Sequence, residues 1–183
     1  MLFERMMRAA RLDSNLYEEV EADRSLTSQA ATVVAIVAVC QGIGSGIRAA
    51  NTPGGGNAIG ALVGALIGAF VGWVIWSYIT YWIGTSMFHG TATPGELLRT
   101  LGFAQTPGVL GILGFIPFLG GVLGFAGAVL SLVAGIVAIR QALDVTTGKA
   151  VLTALVGWLA LMLITIVIGA ITGGLGLLTG IIR

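Results

Sequence analysis

Residues Gly102 to Phe125 read GFAQTPGVLGILGFIPFLGGVLGF. The stretch is long and apolar enough to cross a bilayer. It nevertheless holds seven glycines and two prolines, the residues that most weaken a helix in water. It is one broken helix, a re-entrant loop, or two helices joined by a turn, and the choice decides the fold.

The residues before it favour the last. In TPGE, Thr93 suits an N-cap, Pro94 the first helical position and Glu96 the third, which together make a capping box. A helix started there runs through Leu98 and Phe103 to Pro107. Proline removes the amide that would bond the Phe103 carbonyl, so a kink is expected at Pro107. The Thr106 hydroxyl can bond that carbonyl or the one before it. Gly108, Gly111 and Gly114 then allow a neighbour to approach closely. Pro117 ends the helix, and FLGG turns the chain without a charge. The segment reads as a kinked helix followed by a tight hairpin, and Pro107 is where any cavity is expected.

Composition sets the environment. The chain has 183 residues, 56% hydrophobic and 9% charged, with mean hydropathy +0.99. A soluble domain carries about 25% charged residues, so this is an integral membrane protein. The net charge of +1 and the lack of a basic stripe give no sign of nucleic-acid binding. Cys40 is the one cysteine; it can form neither an internal disulfide nor a zinc cluster and reads as a small buried hydrophobe. Arg5, Arg8 and Arg11 are followed by an acidic stretch before any long apolar run. The first hydrophobic segment, from about Ala30, is therefore a retained anchor rather than a cleaved signal.

The expected architecture is all-α: a bundle of five transmembrane helices (residues 27–183) behind an amphipathic and acidic N-terminal segment (residues 1–26). Met1 to Leu12 places Phe3, Met6, Met7 and Ala10 on one face and Glu4, Arg8 and Arg11 on the other, suited to the headgroup region. Asp13 or Ser14 can cap a second short helix whose small apolar face is Leu16, Tyr17 and Val20. That face either packs on the protein's own underside or docks a partner. The spans are expected at about Thr27–Ile47, Ala58–Ile83 (extending toward His89), Leu97–Ile116, Leu119–Ala142 and Lys149–Ile171, each about the 20 residues a bilayer requires. The tail GGLGLLTGIIR is glycine-broken. With five crossings, Arg5, Arg8, Arg11, Arg24, Arg99, Arg140 and Lys149 share one side and Arg48 and Arg183 the other. The positive-inside rule then puts the N-terminus in the cytoplasm and the C-terminus outside.

Span two carries Gly60, Gly64, Gly68 and Gly72 at every fourth position, with Ala61, Ala65 and Ala69 beside them. Lipid supplies no hydrophobic force between helices, so a smooth strip marks close packing. Gly42 and Gly46, Gly120 and Gly124, and Gly169 and Gly173 repeat the spacing. The strips serve a tight bundle, another membrane protein or a second copy. The later half of span two holds Trp73, Trp76, Tyr78, Tyr81 and Trp82, a membrane-interface belt.

Nothing in the chain points to catalysis, a cofactor or a metal. NTPGGGN lacks the Lys-Ser/Thr of a phosphate loop, and no HExxH or GxSxG occurs. His89 is the one histidine and reads as an interfacial residue. Arg48, Glu96, Arg99, Arg140, Asp144 and Lys149 all fall at expected span ends, which counts against an ion-coupled transporter.

The run ATPGELLRTLGFAQTPGVLGILGFIP (92–117), with Pro107 and Pro117 ten apart, resembles the Yip-domain (Ypt/Rab-interacting) membrane proteins, in their bacterial branch. YITYWIGTSMFHG (78–90) and DVTTGKAV (144–151) add to the resemblance, which covers roughly Ser28 to Ile171. It implies a helical membrane protein that acts through protein or lipid partners without catalysis. Eukaryotic relatives bind Rab GTPases and carry a DLYGP-type motif before the first span. Here LDSNLYEEVE keeps Leu16–Tyr17 and lacks the Gly-Pro, which counts against GTPase binding.

The expected function is that of a non-catalytic scaffold or accessory subunit of a larger membrane complex, such as a respiratory or photosynthetic one, in a bacterial inner membrane. Its partners are lipids and other integral membrane proteins or itself. The alternatives are a membrane-shaping or trafficking-type protein and a small-solute channel or carrier.

Overall fold

A computed structural model describes the backbone of residues 1–51 and 58–181, and the side chains in those ranges except at 58, 61, 164, 165 and 167–181. Every regular element among the described residues is helical. Two short helices, α1 (Leu2–Ala10) and α2 (Ser14–Ala22), precede α3 (Thr27–Ala50), α4 (Ala58–Phe88) and α5 (Pro94–Ala104). A 3-10 helix (Thr106–Phe115), α6 (Leu119–Ala142) and α7 (Thr147–Ile181) follow.

Local chemistry explains the boundaries. Asp13 caps α2, its side chain accepting from the Asn15 amide at 3.0 Å. Thr93 caps α5: Glu96 N donates to Thr93 Oγ1, Thr93 N donates to Glu96 Oε2 at 2.7 Å, and Pro94 occupies the first turn. His89 and Asp144 take positive φ, 58° and 51°, where the chain leaves α4 and α6. The Gly90 amide then donates to the Gly84 carbonyl at 3.0 Å.

Three described helices are long and apolar enough to cross a membrane: Arg24–Ala50, Leu62–Phe88 and Leu119–Ala142. Among the described residues these match three of the five expected spans. The third expected span is divided, with α5 ending at Ala104 and ten further residues coiling as a 3-10 helix. At about 1.5 Å per residue for α5 and about 2.0 Å for the 3-10 helix, the two pieces of the divided segment measure about 37 Å along their axes together. The fifth expected span is α7, which continues past Ile171 to Ile181; its described apolar part is Thr147–Leu163. The Asn51–Asn57 loop beyond Asn51 and the side chains of the C-terminal tail lie outside the described residues.

The core gathers at the end of the bundle where α1 and α2 sit. Leu16, Tyr17 and Val20 of α2, Val33 and Val34 of α3, Leu97 and Phe103 of α5, and Ile139 and Leu143 near the end of α6 are all fully buried. The α2 face considered for docking a partner is thus turned inward. Ordering so short a helix requires tertiary burial, and α2 obtains it from α5 and α6 of its own chain.

Candidate packing and docking surfaces

At Pro107 the backbone changes helix type. Thr106 Oγ1 donates to the Phe103 carbonyl at 2.7 Å, the acceptor an amide at 107 would have reached in a continued α-helix; a backbone N–H of the α5 C-cap donates there as well. The 3-10 helix then lies between α3 and α6. Its glycines let α3 in: a β-carbon on Gly108 would stand 2.8 Å from Val37 Cγ1, and one on Gly111 2.7 Å from Gln41 Cγ. The approach is mutual, because a β-carbon on Gly44 of α3 would strike the Gly111 carbonyl oxygen. On the other flank a β-carbon on Gly127 of α6 would stand 3.0 Å from the Pro107 carbonyl oxygen. Arg48 Nε donates to the Gly114 carbonyl at 2.9 Å. An apolar groove of about 470 Å³ runs along the Pro107 side, between Met6 and Met7 of α1 and Ile36, Leu110 and Leu130.

Pro117 and Phe118 form the reversal. Phe118 has φ 62° and ψ −58°, and the Leu119 amide donates to the Pro117 carbonyl at 2.7 Å. This is a positive-φ γ-turn, a rare and strained arrangement. Phe118 itself is 90% exposed at the tip. Gly120 is buried beneath it, where a β-carbon would meet the Leu113 oxygen at 2.6 Å; Gly124, one turn on, has open space.

The glycines of α4 behave differently from those of α3 and the 3-10 helix. Gly42 of α3 faces Leu62 and Ala65, and Ala69 packs on the core, so that side of α4 faces inward. Lower on the same side come Trp73, whose Nε1 donates to the Leu98 carbonyl at 2.9 Å, then buried Ser77, Thr80 and Ile83. Gly64, Gly68 and Gly72 lie away from it, and a β-carbon at any of the three would meet nothing within 4 Å. Gly60 is also exposed. Ile67 (61%) and Val71 (51%) flank the strip. Of the apolar stretch of α4 only 11% is buried, against 44% for that of α3 and 22% for that of α6, so α4 is the least covered of these three.

The helices before the bundle are fastened by charge. Arg5 Nη2 and Arg8 Nη1 donate to the two oxygens of Glu19 at 2.7 and 2.8 Å, and Arg8 Nε donates to Asp13 Oδ2 at 2.7 Å. Arg8 above all, then Arg5, holds the Glu19 carboxyl below its ordinary range, and Arg8 does the same to Asp13. Arg99 of α5 is 4% exposed; its Nε donates to the Val20 carbonyl at 2.9 Å and its Nη2 to the Glu21 carbonyl. Gln141 Nε2 donates to Glu18 Oε1 at 2.6 Å. Burial pushes the Glu21 carboxyl up to about 7, with help from the Glu96, Asp144 and Glu18 carboxylates and against the pull of Arg99. Its Oε2 is buried with no hydrogen-bond partner. Sequence reasoning located Arg99 at a span end and missed its partners, which stand 78 and 79 residues away. His89 is exposed, and no cluster of three or more metal-binding side chains occurs among the described residues.

These features describe a helical membrane body with a charged collar and a divided span. The family model for the Yip1 domain matches residues 14–169, from the first residue of α2 into α7. No curated protein and no solved structure matches the chain. The match takes in α2, the Pro107 break and the α4 strip alike, and the chain belongs to the Yip1-domain family of membrane proteins.

Proposed function

We propose that this protein is a non-catalytic packing subunit of a membrane complex, joined to an integral membrane partner or a second copy through the outward face of α4. One observation carries the proposal. Gly64, Gly68 and Gly72 form a strip with open space above every position, while glycines of α3 and the 3-10 helix are filled by neighbours from the same chain. A surface that meets only lipid gains nothing from missing side chains, whereas a helix that must approach another closely does. The partner is expected to lay a helix along the strip between Ile67 and Val71. The arginine asymmetry of the sequence supports a cytoplasmic collar and, with five crossings, an outer C-terminus, in a bacterial inner membrane.

Gentle detergent extraction followed by native mass measurement tests this reading. A species heavier than the monomer, carrying a second copy or a co-purifying subunit, is expected. A purely monomeric species overturns it.

A second reading rests on α1. Phe3 (74% exposed) and Met7 (42%) stay open at the edge of the Pro107 groove on a helix whose arginines are tied down at Glu19 and Asp13, which suits insertion into one leaflet and a lipid-organising role. Deleting Met1 to Leu12 is then expected to abolish liposome remodelling; an intact protein that remodels no liposomes removes this reading.

A further inference from the structure

The 3-10 helix floors a cleft of about 360 Å³ between α3 and α6. Three polar side chains meet there: Gln41 of α3, Gln105 at the end of α5, and Ser131 of α6. At 1.5 Å per residue, Gln41 stands about 21 Å from the start of α3, Gln105 about 17 Å from the start of α5, and Ser131 about 18 Å from the start of α6. With each helix start set at a face of a hydrocarbon layer ~30 Å thick, all three lie near its middle.

Their hydrogen-bonding capacity is unused. Ser131 Oγ is buried with no partner. The hydroxyls of Ser77, Thr85, Thr100 and Thr153 each donate to the carbonyl four residues before, the usual solution in a helix; Ser131 does not. Among the described residues the Gln41 and Gln105 carboxamides donate no hydrogen bond. Polar groups at this depth need partners, because lipid offers none. Each carboxamide carries two donors beside its acceptor oxygen and the hydroxyl can do either, so the cleft can answer a carbonyl with N–H and O–H donors. No ionisable residue lines it, and a charged ligand would find no counter-charge. Gly124 of α6, where a β-carbon would meet nothing within 4 Å, keeps one wall low, and exposed Gln41 and Ala128 open the cleft sideways.

We propose that this cleft binds an uncharged, membrane-dissolved carbonyl compound of the quinone type. The flat ring lies against the α6 wall at Gly124, and its oxygens accept from Gln41, Gln105 and Ser131. Phospholipid headgroups and ester carbonyls sit at the interface and do not reach mid-bilayer, whereas a lipophilic ring enters from the hydrocarbon through the open side. The proposal concerns binding alone and is independent of the α4 contact.

The test uses the full chain in nanodiscs, labelled with a photoreactive azido-benzoquinone and competed with a decyl-substituted benzoquinone. Saturable labelling of α3, the 3-10 helix and α6 is expected, reduced about tenfold in Gln41→Leu/Gln105→Leu and several-fold in Ser131→Ala. Ser131→Ala deletes only an unpartnered hydroxyl and keeps the experiment readable if the glutamine variant does not fold. Labelling that does not saturate, that is unchanged in Ser131→Ala, or that decanol competes as well as the quinone overturns the proposal.

Discussion

Arg99 Nε donates to the Val20 carbonyl at 2.9 Å, so a buried cation on α5 closes the last turn of α2. That turn presents orphan carbonyls and the negative end of the helix dipole. The other end is closed by Asp13. A nine-residue helix, too short to stand alone in water, is thus held at both termini and along its Leu16–Tyr17–Val20 face.

Replacing Arg99 with Met is expected to weaken α2 docking by about 2 kcal/mol, since charged hydrogen bonds contribute about 1.5–3. Hydrogen exchange over residues 14–22 should then speed up by about 30-fold. Arg99→Lys, with one compact ammonium in place of the guanidinium fork, is expected to fall between. Unchanged protection in Arg99→Met contradicts the clamp.

Glu21 makes that docking depend on pH. Its carboxyl is raised from 4.5 to about 7 in the folded chain, by burial first and by Glu96, Asp144 and Glu18 next. The docked form therefore keeps a proton that the free form releases, and docking loosens as pH rises from 4.5 toward 7. Glu19 and Asp13 act oppositely: their lowered values contribute stability that is lost as pH falls below about 4.5. Exchange protection of α2, corrected for intrinsic rates, is expected to peak near pH 4.5 to 5. Glu21→Gln should flatten the loss above that. Protection that increases between pH 5 and 7 refutes the assignment.

The two classes of glycine predict opposite responses. Gly44→Ala drives a methyl into the Gly111 carbonyl and is expected to cost about 1–3 kcal/mol, as overpacking does. Gly68→Ala meets nothing within 4 Å. It is expected to be neutral or to stabilise the isolated chain by up to about 1 kcal/mol through helix propensity. Thermal unfolding in detergent separates them; equal losses for both would show that the α4 strip is packed within the chain.

Thr106→Val removes the hydroxyl that answers the Phe103 carbonyl and is expected to destabilise the protein by about 1 kcal/mol. Pro107→Ala restores an amide at that position, and helical circular dichroism should increase as the α-helix lengthens into the 3-10 segment. A spectrum identical to that of the unaltered chain would mean that packing between α3 and α6, not proline, sets the helix type.

Local features of the divided span were legible in the sequence. The Thr93–Glu96 box, the Thr106 bond and the turn after Pro117 rest on neighbours within four residues, and those interactions are fixed by residue type and spacing. The start of α6 at Leu119 follows from the same hairpin. Three features depend on distant partners and could not be read. The close approach of Gly44 to Gly111 joins α3 to the 3-10 helix. The direction of the α4 strip follows from which side Gly42 meets. The Gln41–Gln105–Ser131 cleft joins residues from three helices with no shared motif. Arg99 is intermediate: its place at a helix start was evident, and its acceptors on α2 were not.

The account centres on the α4 strip as a contact surface between membrane proteins. The most direct measurement places a photoreactive amino acid at Ile67, 61% exposed beside Gly68, and irradiates intact membranes. The account predicts a discrete protein adduct that Gly68→Leu abolishes, and no such adduct from the same probe at Leu132 on α6. Adducts to lipid alone at Ile67, or a protein adduct indifferent to Gly68→Leu, would contradict it.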